Sequence, residues 1–171
     1  MFGGNPDRFE WKVVGKKEVY VPYNNFKSAN FNAAVADVFK PGFVSADFRR
    51  YELHRVWEVV GTVKEGVRHS SPKKTIYLDE DTWHAMVGDD YDAQGKLWRH
   101  KENGVRPAWE AGICTSLIQY NNYDFVSGRY VADNIQIGAG QDVRVLLDAG
   151  ADPRLKPSFY TAESLRANSE R

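Results

Sequence analysis

Between Tyr51 and Glu102 the chain alternates apolar and polar residues with a period of two, and a period of two excludes a helix. From Tyr51 to Val63 the odd positions read Tyr, Leu, Arg, Trp, Val, Gly, Val, and the even positions Glu, His, Val, Glu, Val, Thr. One face is mainly apolar and the other mixed, the pattern of an antiparallel sheet with one buried side. Turn chemistry punctuates the stretch at Lys64-Glu65-Gly66, Asp79-Glu80-Asp81-Thr82 and Asp92-Ala93-Gln94-Gly95. The expectation is a meander of four antiparallel strands. It carries three of the five tryptophans and all four histidines, so aromatic packing and titratable chemistry both belong on it.

Centring the strand pairs on those turns sets an expected register. Leu53 lies opposite Leu78, Leu78 opposite Trp83, and Ile76 opposite Ala85. Trp57, Val59, Val87 and Trp98 fall on the same apolar side, with Tyr51 at its end. The mixed side pairs Glu58 with Lys73 and sets His54, Tyr77 and His84 in a row. A slip of one residue would exchange the faces of a strand.

Ahead of the meander, Asn5-Pro6-Asp7 is turn-forming and Phe9 to Val21 is strand-like. Gly15 interrupts that run, giving two short strands or one bulged strand. Lys17, Val19 and Val21 share one face, Glu18 and Tyr20 the other, and Pro22 ends the pairing because it has no N–H to donate. Tyr23 to Asp47 is a long irregular excursion, with a helical turn or two in Ala33 to Phe39 before Pro41-Gly42. Loops of that length are binding loops, covers or simple surface excursions. After the meander a break is expected from Gly104 to Gly112, around Pro107. A strand then runs from Thr115 to Asp124, a turn spans Val126 to Arg129, a strand follows from Tyr130 to Ile137, and a short apolar run covers 143–147. From 150 to 171 the chain reads as an extended tail with a short terminal helix beginning at Thr161-Ala162-Glu163-Ser164.

With 42% hydrophobic and 13% aromatic residues, the 171-residue chain has material for a packed core and is read as a single domain, 1–171. Its 23 basic and 23 acidic residues are interspersed, which removes the electrostatic footprint of nucleic-acid binding. Cys114 is alone, so neither an intrachain disulfide nor a cysteine-built zinc site is available, and its apolar neighbours make it a packing residue. No run approaches the ~20 apolar residues of a membrane helix. The opening Met-Phe-Gly-Gly-Asn-Pro-Asp-Arg lacks a signal-peptide pattern.

The four histidines are too widely spaced for a local metal motif, and exposed strand positions account for them. Asp79, Glu80, Asp81, Asp89, Asp90 and Asp92 stand where turns favour Asp, and the calcium-loop pattern is missing. Gly138-Ala139-Gly140 has no strand–helix context for a dinucleotide, and no Gly-x-Ser-x-Gly elbow occurs. No catalytic residues, metal or cofactor are therefore expected. The aromatic face is the more informative feature. A sheet that curls around such a face either fills it or leaves room for an apolar ligand. The candidate lining is Tyr51, Leu53, Trp57, Val59, Ile76, Leu78, Trp83, Val87 and Trp98.

The words MFGGNPDRFEWKVVGKKEVYVPYNNF, RYELHRVWEVVGTVKEGVRH and YLDEDTWHAMVGDDYDAQGKLWR resemble the domain of unknown function 1329 family, as do DFVSGRYVA and the ending SFYTAESLR. The resemblance implies an exported protein whose fold is similar to the lipoprotein carriers LolA and LolB. The expected fold is mainly β (α+β): a strongly curved antiparallel sheet, or half-barrel, around a helical plug with an apolar cavity. It also implies a lipid or other hydrophobic small molecule as ligand, no catalysis, and an association of some members with RND-type exporters. The chain would correspond to the C-terminal portion of a longer domain, with Met1 at an internal position and a periplasmic or outer-membrane-associated parent. Two other readings compete with the carrier. One is an interaction module docking to an envelope transporter through the sheet edge or the 23–47 excursion. The other is a hydrolase on the His54, Tyr77, His84 face.

Overall fold

The computed structural model describes residues 1–134, 136–142, 150 and 152–169, with side chains for all of these except 113–117 and 134. The strands are β1 (Phe9–Pro22), β2 (Phe39–Lys40), β3 (Phe43–Val44), β4 (Tyr51–Val63), β5 (Lys73–Asp79), β6 (Ala85–Tyr91), β7 (Leu97–Ala108), β8 (Ile113–Asp124) and β9 (Arg129–Asn134). The helices are α1 (Val35–Val38) and α2 (Ala162–Ser169), with several short 3-10 turns. Seven strands form one antiparallel sheet in the order β1-β4-β5-β6-β7-β8-β9, and β2–β3 is a separate hairpin. This is the mainly β architecture expected. The run at 143–147 and the thiol of Cys114 lie outside the described residues.

Two features make the sheet curl. Although β4, β5 and β6 lie between them, β1 and β7 touch, and the Asn25 N–H donates to the Val105 carbonyl at 2.9 Å. Val21, Val56, Met86, Val87 and Val105 pack together inside that curl, each less than a tenth exposed. Burying each such side chain is worth roughly 1.5–3 kcal/mol. Val19, Tyr23 and Tyr77 pack around them. The 23–50 excursion is a strap across the inner face, with Ala29, Val38 and Val44 buried. The Tyr130 hydroxyl donates to Lys40 O at 2.8 Å and ties the strap to β9.

The core therefore lies on the even, mixed side of β4 and not on the odd, apolar side. Val56 sits across from Lys17 on β1 and Asp79 on β5, and Tyr77 across from Val87. The apolar material that covers this side comes from outside the meander, from Val19, Val21, Val105 and the strap. Alternation within four strands does not contain that information.

The register differs from expectation at three places. Leu78 faces Trp57, not Leu53, and Lys73 faces Thr62, not Glu58. The first connection is wider than a tight turn at 64–66, and the Val63 N–H closes it onto Pro72 O at 2.8 Å. That slip is even, so the faces of β4 and β5 are kept. Between β5 and β6 the ladder passes from Tyr77↔Val87 to Leu78↔Ala85, which makes Met86 a bulge residue. Ile76 consequently faces Gly88, not Ala85, and Val87 turns to the inner face, away from Ile76. Trp83 is a turn residue with φ 60°, not a partner of Leu78. The expected break over 104–112 narrows to a ladder irregularity between Gly104 and Val105 and a 3-10 turn at Trp109–Ala111. Strand β7 continues to Ala108, and a ladder irregularity between Arg106 and Ala108 accommodates Pro107, which has no N–H to donate. Among the described residues, strand β9 covers Arg129–Asn134, and Gln136 and Ile137 lie outside it. Gly15 behaves as the bulge signal it resembles: β1 is one strand with its irregularity between Val13 and Gly15.

Among the described residues, aromatic side chains cover one end of the outer face. Phe2, Phe9 and Trp11 cluster there with ring centroids 5.4–5.8 Å apart. A Cβ on Gly61 would lie 2.6 Å from the Trp11 ring, so this strand position needs a glycine for close approach. Gly61→Ala is expected to cost about 1–3 kcal/mol through overpacking. Met86→Ala is expected to cost about 2–5 kcal/mol, as for a truncated core residue. Leu53→Ala, on the outer face, is expected to stay within about 0.5 kcal/mol. Urea unfolding of the three variants separates the packed side from the open one.

Candidate functional site

The outer face of β1, β4 and β5 carries a strip of apolar side chains. Val13, Val59 and Ile76 form one row across the three strands, and Trp57 with Leu78 forms the next, with Lys16 at its β1 end. Tyr20 pairs with Leu53 beyond them. Trp57, Val59, Ile76 and Leu78 are half-buried. Leu53 is 52% exposed, Tyr20 66% and Val13 60%. The Lys16 ammonium lies 4.6 Å from the Trp57 ring centroid and bridges to Glu80 at 2.7 Å. Hydrogen bonds from Arg55 and then Lys16 hold the Glu80 carboxyl down at about 2.

Of the nine residues expected to line one apolar face, the structure brings Leu53, Trp57, Val59, Ile76 and Leu78 onto this strip. Tyr51 pairs with Pro22 at the start of β4, but its side chain leaves the strip and reaches Glu102 on the inner face. Val87 is on the inner face, 6% exposed. Trp83 projects from the β5–β6 turn, 66% exposed. Trp98 falls where the β6–β7 ladder shifts between Asp90↔Arg99 and Tyr91↔Leu97, and its indole N–H donates to Asp124 at 3.1 Å. On its β1 side the strip is open to solvent at Val13, Tyr20 and Leu53.

The inner face holds a polar network that sequence reasoning missed. Glu102, 6% exposed, accepts from the Tyr51 hydroxyl at 2.7 Å and pairs with Arg49 and with His100 Nε2 at 3.5 Å. The other ring nitrogen of His100 donates to Asp89 at 2.7 Å. Arg49 also donates to the Tyr123 hydroxyl at 3.2 Å, and Tyr123 stacks on Tyr130 at 5.5 Å. Burial opposes a charged His100, but its hydrogen bonds to Asp89 and Glu102 outweigh that and lift its pKa to about 9. Burial likewise pushes the Glu102 carboxyl up, and the His100 hydrogen bond with the Arg49 charge brings it below the ordinary glutamate value. These charges clasp the strap to β7. The available signal was the even spacing of His100 and Glu102 on one strand face, but their partner Arg49 lies far off in the chain.

Two further clusters are structural. His54 Nδ1 donates to Asp79 at 2.9 Å, and Tyr23 stacks on the His54 ring at 4.1 Å. Asp79 also accepts from the Thr82 hydroxyl at 2.7 Å and the Thr82 N–H at 3.1 Å. His54, Asp79 and Asp81 offer ligand atoms within 4.8 Å of one another, but those bonds already occupy Asp79. The expected row of His54, Tyr77 and His84 does not form: Tyr77 lies across from Glu58, and His84 follows the turn with its N–H on Thr82 Oγ1 at 3.4 Å. On the outer face, Asp90 accepts from Lys74 at 2.9 Å and Lys101 at 2.6 Å beneath the Phe2 and Phe9 rings.

A family model described as a protein of unknown function (DUF1329) matches residues 1–166. The chain belongs to the DUF1329 family. An uncharacterised protein of Pseudomonas aeruginosa is 43% identical over 132 residues, which is 77% of this DUF1329 chain and 29% of the relative. The chain thus spans under a third of that relative's length. Among solved structures, a DUF1329 family protein from Desulfovibrio piger aligns with a TM-score of 0.44 at 12% identity, over 93% of this chain and 48% of the other. A domain from Vibrio parahaemolyticus named for outer-membrane lipoprotein sorting aligns with a TM-score of 0.43 at 7% identity, over 74% of this chain and 39% of the other. Among the described residues of the DUF1329 chain, no helix is long and apolar enough to cross a membrane.

The His100 clasp sets a pH dependence. Its folded pKa of about 9 lies above the ordinary 6.5, so its stabilisation is complete below about pH 6.5 and is lost as pH rises through about 9. Thermal unfolding of the DUF1329 chain between pH 6 and 10 should show this alkaline loss, and His100→Gln should flatten it.

Proposed function

We propose that this DUF1329 chain is a non-catalytic binding module, of a carrier kind, for a hydrophobic, lipid-like ligand in the periplasm. The observation that carries the reading is the partly exposed apolar strip of Val13, Trp57, Val59, Ile76 and Leu78 across three strands of a curled sheet. A contiguous apolar face rimmed by charge, here Lys16, Arg55 and Glu80, marks a place where another apolar surface sits. Trp57 adds a large aromatic contact that keeps its shape on binding. The charged groups of the inner face are engaged with one another, which suits a clasp better than proton transfer. The periplasmic placement rests on the resemblance of the sequence to exported proteins.

A second reading has its own support. Strand β1 is fourteen residues long, stands at the sheet edge, and presents Val14 and Tyr20 to solvent. An interaction module of an envelope transporter system would add a strand there.

The test is titration of the full chain with the uncharged fluorophore N-phenyl-1-naphthylamine, alongside mass spectrometry of co-purified lipid. Binding is expected, with Trp57→Ala and Ile76→Ser combined weakening it about ten-fold through lost apolar contact. No probe binding, with capture of a membrane protein that a proline at Val14 abolishes, would overturn the carrier in favour of the docking module.

A further inference from the structure

The sheet's open strip leads to a feature of different chemistry. At the end of the β1–β4 pair, after Tyr20↔Leu53 and Pro22↔Tyr51, the Tyr23 N–H donates to Arg50 O at 3.1 Å and holds the two chain segments together. Between them lies a cavity of about 340 Å³, lined by residues Asn24 to Lys27 and by Phe48, Arg49 and Arg50. Its size falls at the lower end of small-ligand sites, roughly 300–1,000 Å³.

We propose that this cavity binds the anionic group of an amphiphile, a carboxylate or phosphate monoester bearing an alkyl chain. The inference rests on the binding reading above and names the ligand's chemical class. Its first support is the unused cationic capacity. Glu52 accepts from the Asn24 side-chain amide at 2.7 Å and from Arg50 Nε at 2.9 Å. That geometry fixes the guanidinium from one side and leaves both Nη groups without a partner among the described residues. Lys27 is exposed and has no acidic partner within ion-pair distance among the described residues. Arg49 is turned inward to Glu102 and belongs to the clasp.

The second support is a preset backbone. Asn24 adopts φ 49°, in the left-handed region, which costs energy for a residue other than glycine and is held here by the Glu52 hydrogen bond. Asn25, 3% exposed, accepts from the Arg50 N–H at 3.1 Å through its side-chain oxygen and so ties the two walls of the cavity together. Phe26, 51% exposed, and half-buried Phe48 supply the third element, an apolar wall beside the cations. The Lys27 ammonium, the Nη groups of Arg50 and an aromatic wall in one small cavity match a ligand with a charged head and an apolar body. They match a bare anion less well.

The experiment is calorimetric titration of the full chain with dodecyl phosphate below its critical micelle concentration. Inorganic phosphate and sedimentation with phosphatidylglycerol or phosphatidylcholine vesicles serve as separate arms. Dodecyl phosphate is expected to bind. The double variant Lys27→Ala, Arg50→Ala should weaken it by about ten-fold or more, as for lost charge-assisted hydrogen bonds. Phe26→Ala should weaken it as well, and Arg166→Ala on α2 should leave it unchanged. Circular dichroism melts confirm that these solvent-facing substitutions keep the fold. Equal affinity in the double variant overturns the proposal, and so does inorganic phosphate binding as tightly as dodecyl phosphate. Sedimentation with phosphatidylglycerol vesicles without binding of the monomeric amphiphile also overturns it, in favour of a membrane surface. If the uncharged naphthylamine binds while dodecyl phosphate does not, the anion site fails and the binding reading stands. If neither binds, both fail.

Discussion

Removing a carboxylate from water is costly unless it is paired, and the inner face of this sheet is arranged around that requirement at Glu102. Arg49 comes from the strap, Tyr51 from the start of β4, and His100 from the same strand as Glu102. One buried acid thus fixes three parts of the chain at a single point. His100 in turn carries Asp89 from β6, so the charges alternate from strand to strand. The core of Val21, Val56, Met86, Val87 and Val105 closes the curl by burial, with Val87 directly across from Glu102. The Glu102 clasp gives the strap a defined seat, because any other placement of Arg49 would strand a buried charge.

The alternation from Tyr51 to Glu102 was enough to place four strands, and Gly15 to place a bulge. It was not enough to say which face is buried. Periodicity reports that the two sides of a strand differ, whereas burial depends on what is laid over each side. Val19, Val21, Val105 and the strap cover the mixed side, and they come from segments distant in sequence. Register failed for a local reason. Met86 is an extra residue that shifts parity between β5 and β6, and nothing in HAMVGDD distinguishes a bulged strand from a regular one. Pro107 reads as a strand breaker, yet an irregular ladder gives it a place where no N–H is required.

The candidate sites were legible to different degrees. Trp57, Val59, Ile76 and Leu78 share a face whichever even register is chosen, so the outer strip could be read from the meander. The cavity at Lys27 and Arg50 could not, since it forms where the two ends of a long irregular segment meet. Charge counting hides it as well, because a chain with equal numbers of acids and bases carries local excesses only through folding. The Pseudomonas aeruginosa relative is more than three times as long as the stretch it shares with this chain.

The strap also governs the order in which the sheet can assemble. The pairings β4–β5, β5–β6 and β6–β7 join neighbours in the chain and carry a small loop-closure entropy. Strand β1 must wait until the whole 23–50 segment has been traversed before it finds β4. Its long ladder is therefore the late-forming part of the sheet and, by the same barrier read backwards, an early place for it to open. Amide exchange that is faster along β1 than along β5 and β6 would be the native-state trace of that order, and slow protection of β1 during refolding its kinetic one.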